Sequence, residues 1–312
     1  MKALAGLVLA AGVISASPAL ALNILLSNDD GYQHPNIRAL YSTLKAAGHT
    51  VRIAAPKSEQ SARGGAFYYG REVSIGRDDD PAYPDSYFLS THEQGPCTSP
   101  ICAGQSVSIE ISATPVMAVL MGLKKVMPDP DLVIVGPNPG NNVGAINLAS
   151  GTFNAASAAL QTGVPTLAVS TDLKDHDPQR TARFVLRLVQ ALEQQRPADG
   201  KLLPAGIGLN INLPAGSEVK GIRLTRIGRY VGFDTQYTDD LGSFGAALSG
   251  KPGIGFSRGA PASDTEQDDE AVWLAKGYLT ISPFSGLLQS PAATPALQRL
   301  SALPAPDRGQ TP

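Results

Sequence analysis

The chain has 312 residues, in which 25 lysines and arginines against 27 aspartates and glutamates give a formal charge of −2. Hydrophobic residues make up 43% and charged residues 17%, and the chain holds 32 glycines and 25 prolines. This balance excludes an intrinsically disordered chain, a collagen-like repeat and a basic nucleic-acid coat protein. The length suffices for one large α/β domain with an appendage, or for two modest domains.

The first 21 residues have the features of an export signal. Lys2 provides a positive start, residues 3–14 are apolar, and Ala19 and Ala21 form an A-x-A cleavage site. The alternative is an uncleaved membrane anchor, but the apolar run is shorter than the ~20 residues of a membrane span. We therefore predict that residues 1–21 are a signal peptide and that the mature chain is periplasmic or secreted, with no membrane partner after cleavage.

The mature chain opens with a β-α-β pattern. Residues 23–27 are an apolar run that ends at turn residues, and residues 37–44 carry apolar side chains at helical spacing. Residues 51–55 form a second strand before Pro56. This order favours an α/β fold with a parallel sheet and a right-handed crossover.

Residues 57–113 have no regular period, and we expect an extended hairpin or an insertion over one edge of the sheet. Thr114 and Pro115 then suit the cap and the first position of a helix. Residues 286–312 have no stable period and predict a poorly ordered tail. The other predicted elements are, in chain order, a strand at 131–135, a helix at 152–161, a strand at 166–170, a helix at 184–192, and strands at 208–213, 222–227 and 278–282.

Two cysteines, Cys97 and Cys102, are five positions apart. An exported chain meets an oxidising compartment, so we predict that they form a small disulfide loop, in which Pro100 favours a turn. A metal-binding pair is the alternative, but a zinc site needs about four ligands. Only His92 lies near the cysteines in sequence.

Polar residues follow three of the predicted strands. The first strand ends in Asn28-Asp29-Asp30-Gly31, Ser61 follows the second, and a loop of glycine and asparagine at 136–144 follows the third. In a parallel sheet ligands bind beyond the carboxyl ends of the strands, so these residues are expected to converge. Two adjacent carboxylates repel each other, and a hard divalent cation such as Mg²⁺ would relieve that repulsion. The two aspartates alone also fit a solvated turn or an Asx motif.

Ser150-Gly151-Thr152 stands directly before a predicted helix. Free backbone N–H groups and the helix dipole would make this an anion site, whereas ordinary capping by Ser150 or Thr152 is the alternative. His34 is the histidine closest in sequence to the acidic turn. It fits either a general acid or phosphate contact, or a surface position beside the start of a helix.

Taken together, these motifs resemble the SurE family of metal-dependent survival proteins, which are 5′/3′-nucleotidases and phosphatases that act on nucleoside monophosphates. The resemblance covers roughly residues 23–285. The segments that carry it are 24–31, Ala55-Pro56 with Ser61, Thr114-Pro115, 130–144, 150–152, 210–214, 220–223 and 277–283.

The resemblance implies a site for one divalent cation per subunit, Mg²⁺ or Mn²⁺, which would polarise the phosphoryl oxygens and activate the attacking water. Its ligands would be Asp29, Asp30, Ser61 and Asn138, and the two aspartates would also be the catalytic residues. The residues implied to line the phosphate or substrate pocket are Asn28, Asn142, Ser150, Gly151 and Thr152. The substrate would be a small phosphomonoester, most simply a nucleoside 5′- or 3′-monophosphate, and no nucleic-acid partner is expected.

The family's fold implies a Rossmann-like, mostly parallel sheet flanked by helices over about residues 22–214. Hairpin or extension elements over about 215–285 would be swapped between subunits of a dimer or tetramer. The chain departs from the family pattern after Ser61, where Ala62-Arg63-Gly64-Gly65 brings a cation towards the phosphate. Two alternatives stay open: a periplasmic solute-binding protein, and a catalytically idle member of the family that serves as an assembly subunit.

Overall fold

A computed structural model describes residues 21–102, 104–196, 200–216 and 219–286. The predicted signal peptide, apart from Ala21, and the predicted tail after residue 286 lie outside these ranges. The described helices are α1 (Pro35–Ala46), α2 (Pro115–Met121), α3 (Gly151–Gln161), α4 (Pro178–Gln194) and α5 (Glu270–Ala275). The described strands are β1 (Asn23–Ser27), β2 (Thr50–Pro56), β3 (Val73–Arg77), β4 (Ser86–Pro96), β5 (Ser106–Ser112), β6 (Leu132–Pro139), β7 (Thr166–Thr171), β8 (Ile207–Leu213), β9 (Ile222–Leu224), β10 (Phe233–Thr238), β11 (Gly253–Arg258) and β12 (Leu279–Ser285).

One large sheet forms the centre of the molecule. Its strand order is β3-β4-β2-β1-β6-β7-β8-β12-β9, with β5 paired to β4. The run β4-β2-β1-β6-β7-β8 is parallel throughout, and β3, β5 and β12 add antiparallel pairs. The predicted α/β class, a mostly parallel sheet flanked by helices, is therefore confirmed.

Helices cover both faces of this sheet because successive strand residues point to opposite sides. On β1, Ile24 and Leu26 pack into the cluster beneath α1 and α4, whereas Leu25 packs into the cluster beneath α2 and α3. All three side chains are fully buried, and burial of each contributes about 1.5–3 kcal/mol. A strand whose last four residues are all buried thus leads directly into the acidic turn.

Residues 57–113, predicted as a hairpin or insertion over a sheet edge, do form that edge. The long strand β4 pairs with β2 near its start and with β3 and β5 along its length. Between β4 and β5, Cys97 and Cys102 are joined by a disulfide whose Cα atoms are 5.8 Å apart.

Two regions depart from the sequence-based prediction. Strand β6 runs on through Pro139, beyond the predicted end at residue 135, because Asn138 and Pro139 resume pairing with β7 after an irregularity. Strands β10 and β11 form a separate antiparallel hairpin between the predicted strands at 222–227 and 278–282. The residue pattern predicted no strand there, whereas the family resemblance implied hairpin or extension elements over about 215–285. The Tyr237 and Ile254 side chains of this hairpin are largely exposed. Among the described residues, no helix is long and apolar enough to cross a membrane.

Candidate functional site

The acidic turn after β1 is held by its own first residue. Asn28 donates from Nδ2 to the carbonyl of Gly31 at 2.9 Å and accepts from the Gly31 N–H at 3.2 Å. Gly31 has a φ of +102°, and a Cβ there would lie 3.3 Å from the backbone of Ser58. Glycine therefore allows both the turn and the close approach of the loop that follows β2.

Asp29 faces the start of helix α3. Its side chain is buried, and Oδ1 accepts a hydrogen bond from the Thr152 hydroxyl at 2.6 Å. A Cβ on Gly151 would lie 2.7 Å from both the Cβ and the Oδ2 of Asp29, and 2.9 Å from Pro115 Cγ. Glycine is thus required at this position for the helix to approach the carboxylate, and burial raises the pKa of Asp29 above its ordinary value.

Asp30 has a buried oxygen with no partner. Its Oδ2 accepts no hydrogen bond from any described residue. Burial, and then the negative charges of Asp29 and Glu59, raise the pKa of Asp30 from 3.8 to about 8. A carboxylate in such surroundings is stabilised either by a proton or by a cation that contacts its free oxygen.

The loop after β2 brings Ser61 to the same end of the sheet. The Gln60 N–H donates to the Asp29 carbonyl at 2.7 Å, and the Gly64 N–H donates to the Ala149 carbonyl at 3.0 Å. Ser61 lies between these two anchors and is exposed, with its backbone N–H bonded to the Glu59 carboxylate. The loop therefore bridges the acidic turn and the residue that precedes the Ser150-Gly151-Thr152 segment.

Asn138 is presented by the extension of β6. Its Nδ2 donates to the Gly140 carbonyl at 2.6 Å, and its Oδ1 has no hydrogen bond within the described part of the chain. Asn36, in the first turn of α1, donates to the Pro137 carbonyl at 3.1 Å and so ties the helix that follows the acidic turn to this segment. The amide oxygen of Asn138 is therefore available as a ligand.

Asn142 belongs to a buried polar network on the far side of the Gly/Asn loop. Its Nδ2 donates to Ser170 Oγ at 2.9 Å, and its carbonyl accepts from the Asn210 and Asn212 amides at 2.9 and 3.0 Å. Glu270 joins the same network: its carboxylate accepts from Asn210 and Ser282 and from the N–H of Gly144. Burial raises the pKa of Glu270 from 4.5 to about 7.

The structure brings some of the predicted site residues into contact and gives others an internal role. Asp29, Gly151 and Thr152 touch one another, and the segments that carry Ser61 and Asn138 are tied to the same strand end. The side chains of Asn28 and Asn142 make the hydrogen bonds described above, and their contact with substrate stays a prediction. Ser150 is the N-cap of α3, and its Oγ accepts from Phe153 N–H at 3.0 Å.

One histidine and two glutamates complete the surroundings of the site. His34 is the N-cap of α1, where Nδ1 accepts from the Asn36 N–H at 3.3 Å, and partial burial lowers its pKa. Glu59 and Glu270 were missed in the sequence. Glu59 could have been noticed in the sequence, because it is an acidic residue two positions before the candidate ligand Ser61. No sequence pattern relates Glu270 to Gly144.

The donor set indicates which kind of metal the site would accept. Within the described ranges no group of three or more His, Cys, Asp and Glu side chains could hold a metal ion. The candidate ligands are instead two carboxylates, a hydroxyl and an amide oxygen. Such an all-oxygen set suits Mg²⁺ or Mn²⁺, which retain several waters, and does not suit zinc. The unpartnered Oδ2 of Asp30 agrees with this choice.

The chain is similar to known proteins over most of its length. The family model described as Survival protein SurE matches residues 24–232. The 5′-nucleotidase SurE of Desulforudis audaxviator is 33% identical over 78% of this chain and 86% of that protein, and the 5′-nucleotidase SurE of Gloeobacter violaceus is 34% identical over 86% and 94%. The crystal structure of the SurE protein from Aquifex aeolicus superposes with a TM-score of 0.66 and 24% identity, over 89% of this chain and 99% of that one, which shows the same fold.

Proposed function

This chain belongs to the SurE family, and from that premise we propose that it hydrolyses phosphate monoesters with the help of one divalent cation. Relatives described as 5′-nucleotidase SurE match it over most of both chains, which favours nucleoside monophosphates as substrates. The export-signal pattern in residues 1–21 favours a periplasmic or secreted enzyme, and the exposed apolar side chains of the β10-β11 hairpin favour assembly into a homo-oligomer.

The observation that carries the proposal is the unpartnered Oδ2 of Asp30 beside the buried carboxylate of Asp29. Two carboxylates side by side at a strand end are destabilised when both are charged, and a cation removes that cost. Asp29, Asp30, Ser61 and Asn138 would hold the cation. When bound, the cation would polarise a phosphoryl oxygen and lower the pKa of a bound water.

The remaining groups of the site orient the reacting atoms. Thr152 donates to Asp29 Oδ1, which offsets part of the effect of burial on this carboxylate and leaves its other oxygen directed towards Gly151. Helix α3 starts at this glycine, so the positive end of its dipole faces Asp29 and the adjoining region where a phosphate would sit. An aspartate oxygen of the pair that does not contact the cation would be placed to accept a proton from water.

The proposal is tested by phosphate release from a panel of AMP, 3′-AMP, an aryl phosphate and polyphosphate, with Mg²⁺ or Mn²⁺ present. Asp30→Asn is compared with Asp79→Asn, which removes the same charge from an exposed loop at the sheet edge. We expect wild type and Asp79→Asn to release phosphate from the nucleotides, and Asp30→Asn to lose at least 100-fold in kcat/KM. Equal activity of the two variants would refute the role of Asp30, and no release by wild type from any substrate would refute the function.

A further inference from the structure

Arg63 lies in the loop that joins the two halves of the candidate site. One end of this loop is anchored by the Gln60 N–H on the Asp29 carbonyl, and the other by the Gly64 N–H on the Ala149 carbonyl. A Cβ on Gly64 would lie 3.0 Å from the Leu148 carbonyl, so the loop is packed tightly against the segment that precedes α3. Arg63 is therefore held between the acidic turn and the N-terminus of the helix.

The side chain of Arg63 is exposed and forms no hydrogen bond or ion pair with any residue that the structure describes. Other cations around this end of the sheet are paired: Arg38 with Asp78 at 2.6 Å, and Lys57 with Glu110 at 2.7 Å. An arginine that no internal carboxylate holds, on a backbone anchored at both ends, is suited to bind a ligand from solution.

The charge around the site favours such a cation. Asp29 and Asp30 are adjacent at the strand end, and the Glu59 carboxylate accepts from the Ser61 N–H in the loop anchored to Asp29, so three carboxylates lie around the site. A phosphate monoester brings about two further negative charges near neutral pH, and one divalent cation balances fewer than half of the total. A guanidinium contributes one more positive charge, and its planar fork matches two oxygens of a terminal phosphate.

We propose that Arg63 binds the non-bridging oxygens of the substrate's phosphate and thereby selects terminal phosphate monoesters over diesters. A diester has one negative charge and only two non-bridging oxygens. It therefore binds a cation and a bidentate arginine at the same time less strongly than a monoester does. The inference rests on the proposed function, because it assigns Arg63 to the same site. Inorganic phosphate, which presents the same oxygens, is expected to bind there as well.

The test compares Arg63→Ala and Arg63→Lys with Lys125→Ala, all in the full-length chain with Mn²⁺. Lys125 is exposed in the turn after α2, at the end of the sheet where β6 begins, so its removal changes net charge without touching the site. We expect Arg63→Ala to raise KM for AMP and the Kd of inorganic phosphate about tenfold, with kcat changed less than about threefold. Arg63→Lys should recover part of the loss, because it restores the charge but not the fork.

Calorimetric phosphate binding makes the outcome independent of turnover. If wild type hydrolyses AMP but Arg63→Ala shows unchanged KM and unchanged Kd for phosphate, this proposal is refuted and the function stands. If wild type binds phosphate in an Arg63-dependent way but hydrolyses no substrate, the function is refuted and the binding role of Arg63 stands. An equal loss of phosphate binding in Lys125→Ala would show a general charge effect and would overturn the assignment of Arg63. The assignment would also be overturned if Arg63→Ala lost binding together with a lowered melting temperature while Arg63→Lys bound phosphate as wild type does.

Discussion

Replacing Asp30 by asparagine should stabilise the metal-free protein while it removes activity. The Oδ2 of Asp30 has no partner among the described residues, and burial beside Asp29 raises the pKa of this carboxyl from 3.8 to about 8. Between these two values the folded state binds more protons than the unfolded state. The free energy of unfolding of the metal-free wild type must therefore fall as pH rises through this interval.

The size of the effect follows from the same pKa. A change from 3.8 to about 8 corresponds to about 6 kcal/mol above pH 8, and to about half of that at pH 6. Local relaxation and water entry reduce such values, so we expect Asp30→Asn to gain about 2 kcal/mol or more over wild type at pH 8 in EDTA. Asparagine keeps the shape of the side chain but carries no charge that needs neutralisation.

Urea unfolding followed by circular dichroism at pH 5, 6, 7 and 8 measures this difference, with Asp79→Asn as the control. In EDTA the gain of Asp30→Asn should grow with pH, and Asp79→Asn should stay within about 0.5 kcal/mol of wild type. Saturating Mn²⁺ should remove the gain, because only wild type binds the ion tightly. Parallel pH profiles of wild type and Asp30→Asn in EDTA, or a variant less stable than wild type at pH 8, would show that Asp30 carries no buried charge that needs a proton or a cation.

Three further predictions concern two residues that contact Asp29 and the buried Glu270. Gly151→Ala should lower kcat/KM at least 100-fold and destabilise the fold by about 1–3 kcal/mol, measured by steady-state kinetics and urea unfolding, because the added Cβ overlaps Asp29 and Pro115. Thr152→Val should weaken calorimetric Mn²⁺ binding at pH 6 more than at pH 8, since loss of the hydroxyl raises the pKa of Asp29 further. Glu270→Gln should reduce the pH dependence of the free energy of unfolding, measured by urea unfolding. In wild type this free energy falls by about 3 kcal/mol between pH 4.5 and about 7 as the buried carboxyl ionises, whereas the amide has no charge to gain.

The core of the fold could be predicted because its signals are local. The β-α-β start needs only a short apolar run, a helical stripe and a second apolar run, and Thr114-Pro115 marks the start of α2 by ordinary capping chemistry. The β10-β11 hairpin could not be predicted in this way. Strand β11 alternates glycine with the exposed Ile254 and Phe256, and β10 is a mostly polar, largely exposed run. Neither shows the alternation of buried apolar and exposed polar residues that indicates a half-buried strand.

The site was predictable as a set of strand ends but not as a set of contacts. Asp29 and Thr152 are 123 residues apart, and the hydrogen bond between them depends on β6 lying next to β1. The extension of β6 through Pro137 was missed because proline in a strand normally marks its end. The roles of Glu59 and Glu270 depend on tertiary packing, since each acquires its importance from carboxylates or amides distant in sequence.

The most direct test of the central claim is phosphate release from AMP by protein that has been stripped with EDTA and then given Mg²⁺ or Mn²⁺ in excess. We predict no release in EDTA and restored release on addition of either ion, with no restoration by Zn²⁺ at equal concentration. Release that continues at the same rate in EDTA, or that no ion restores, would contradict a metal site at Asp29 and Asp30.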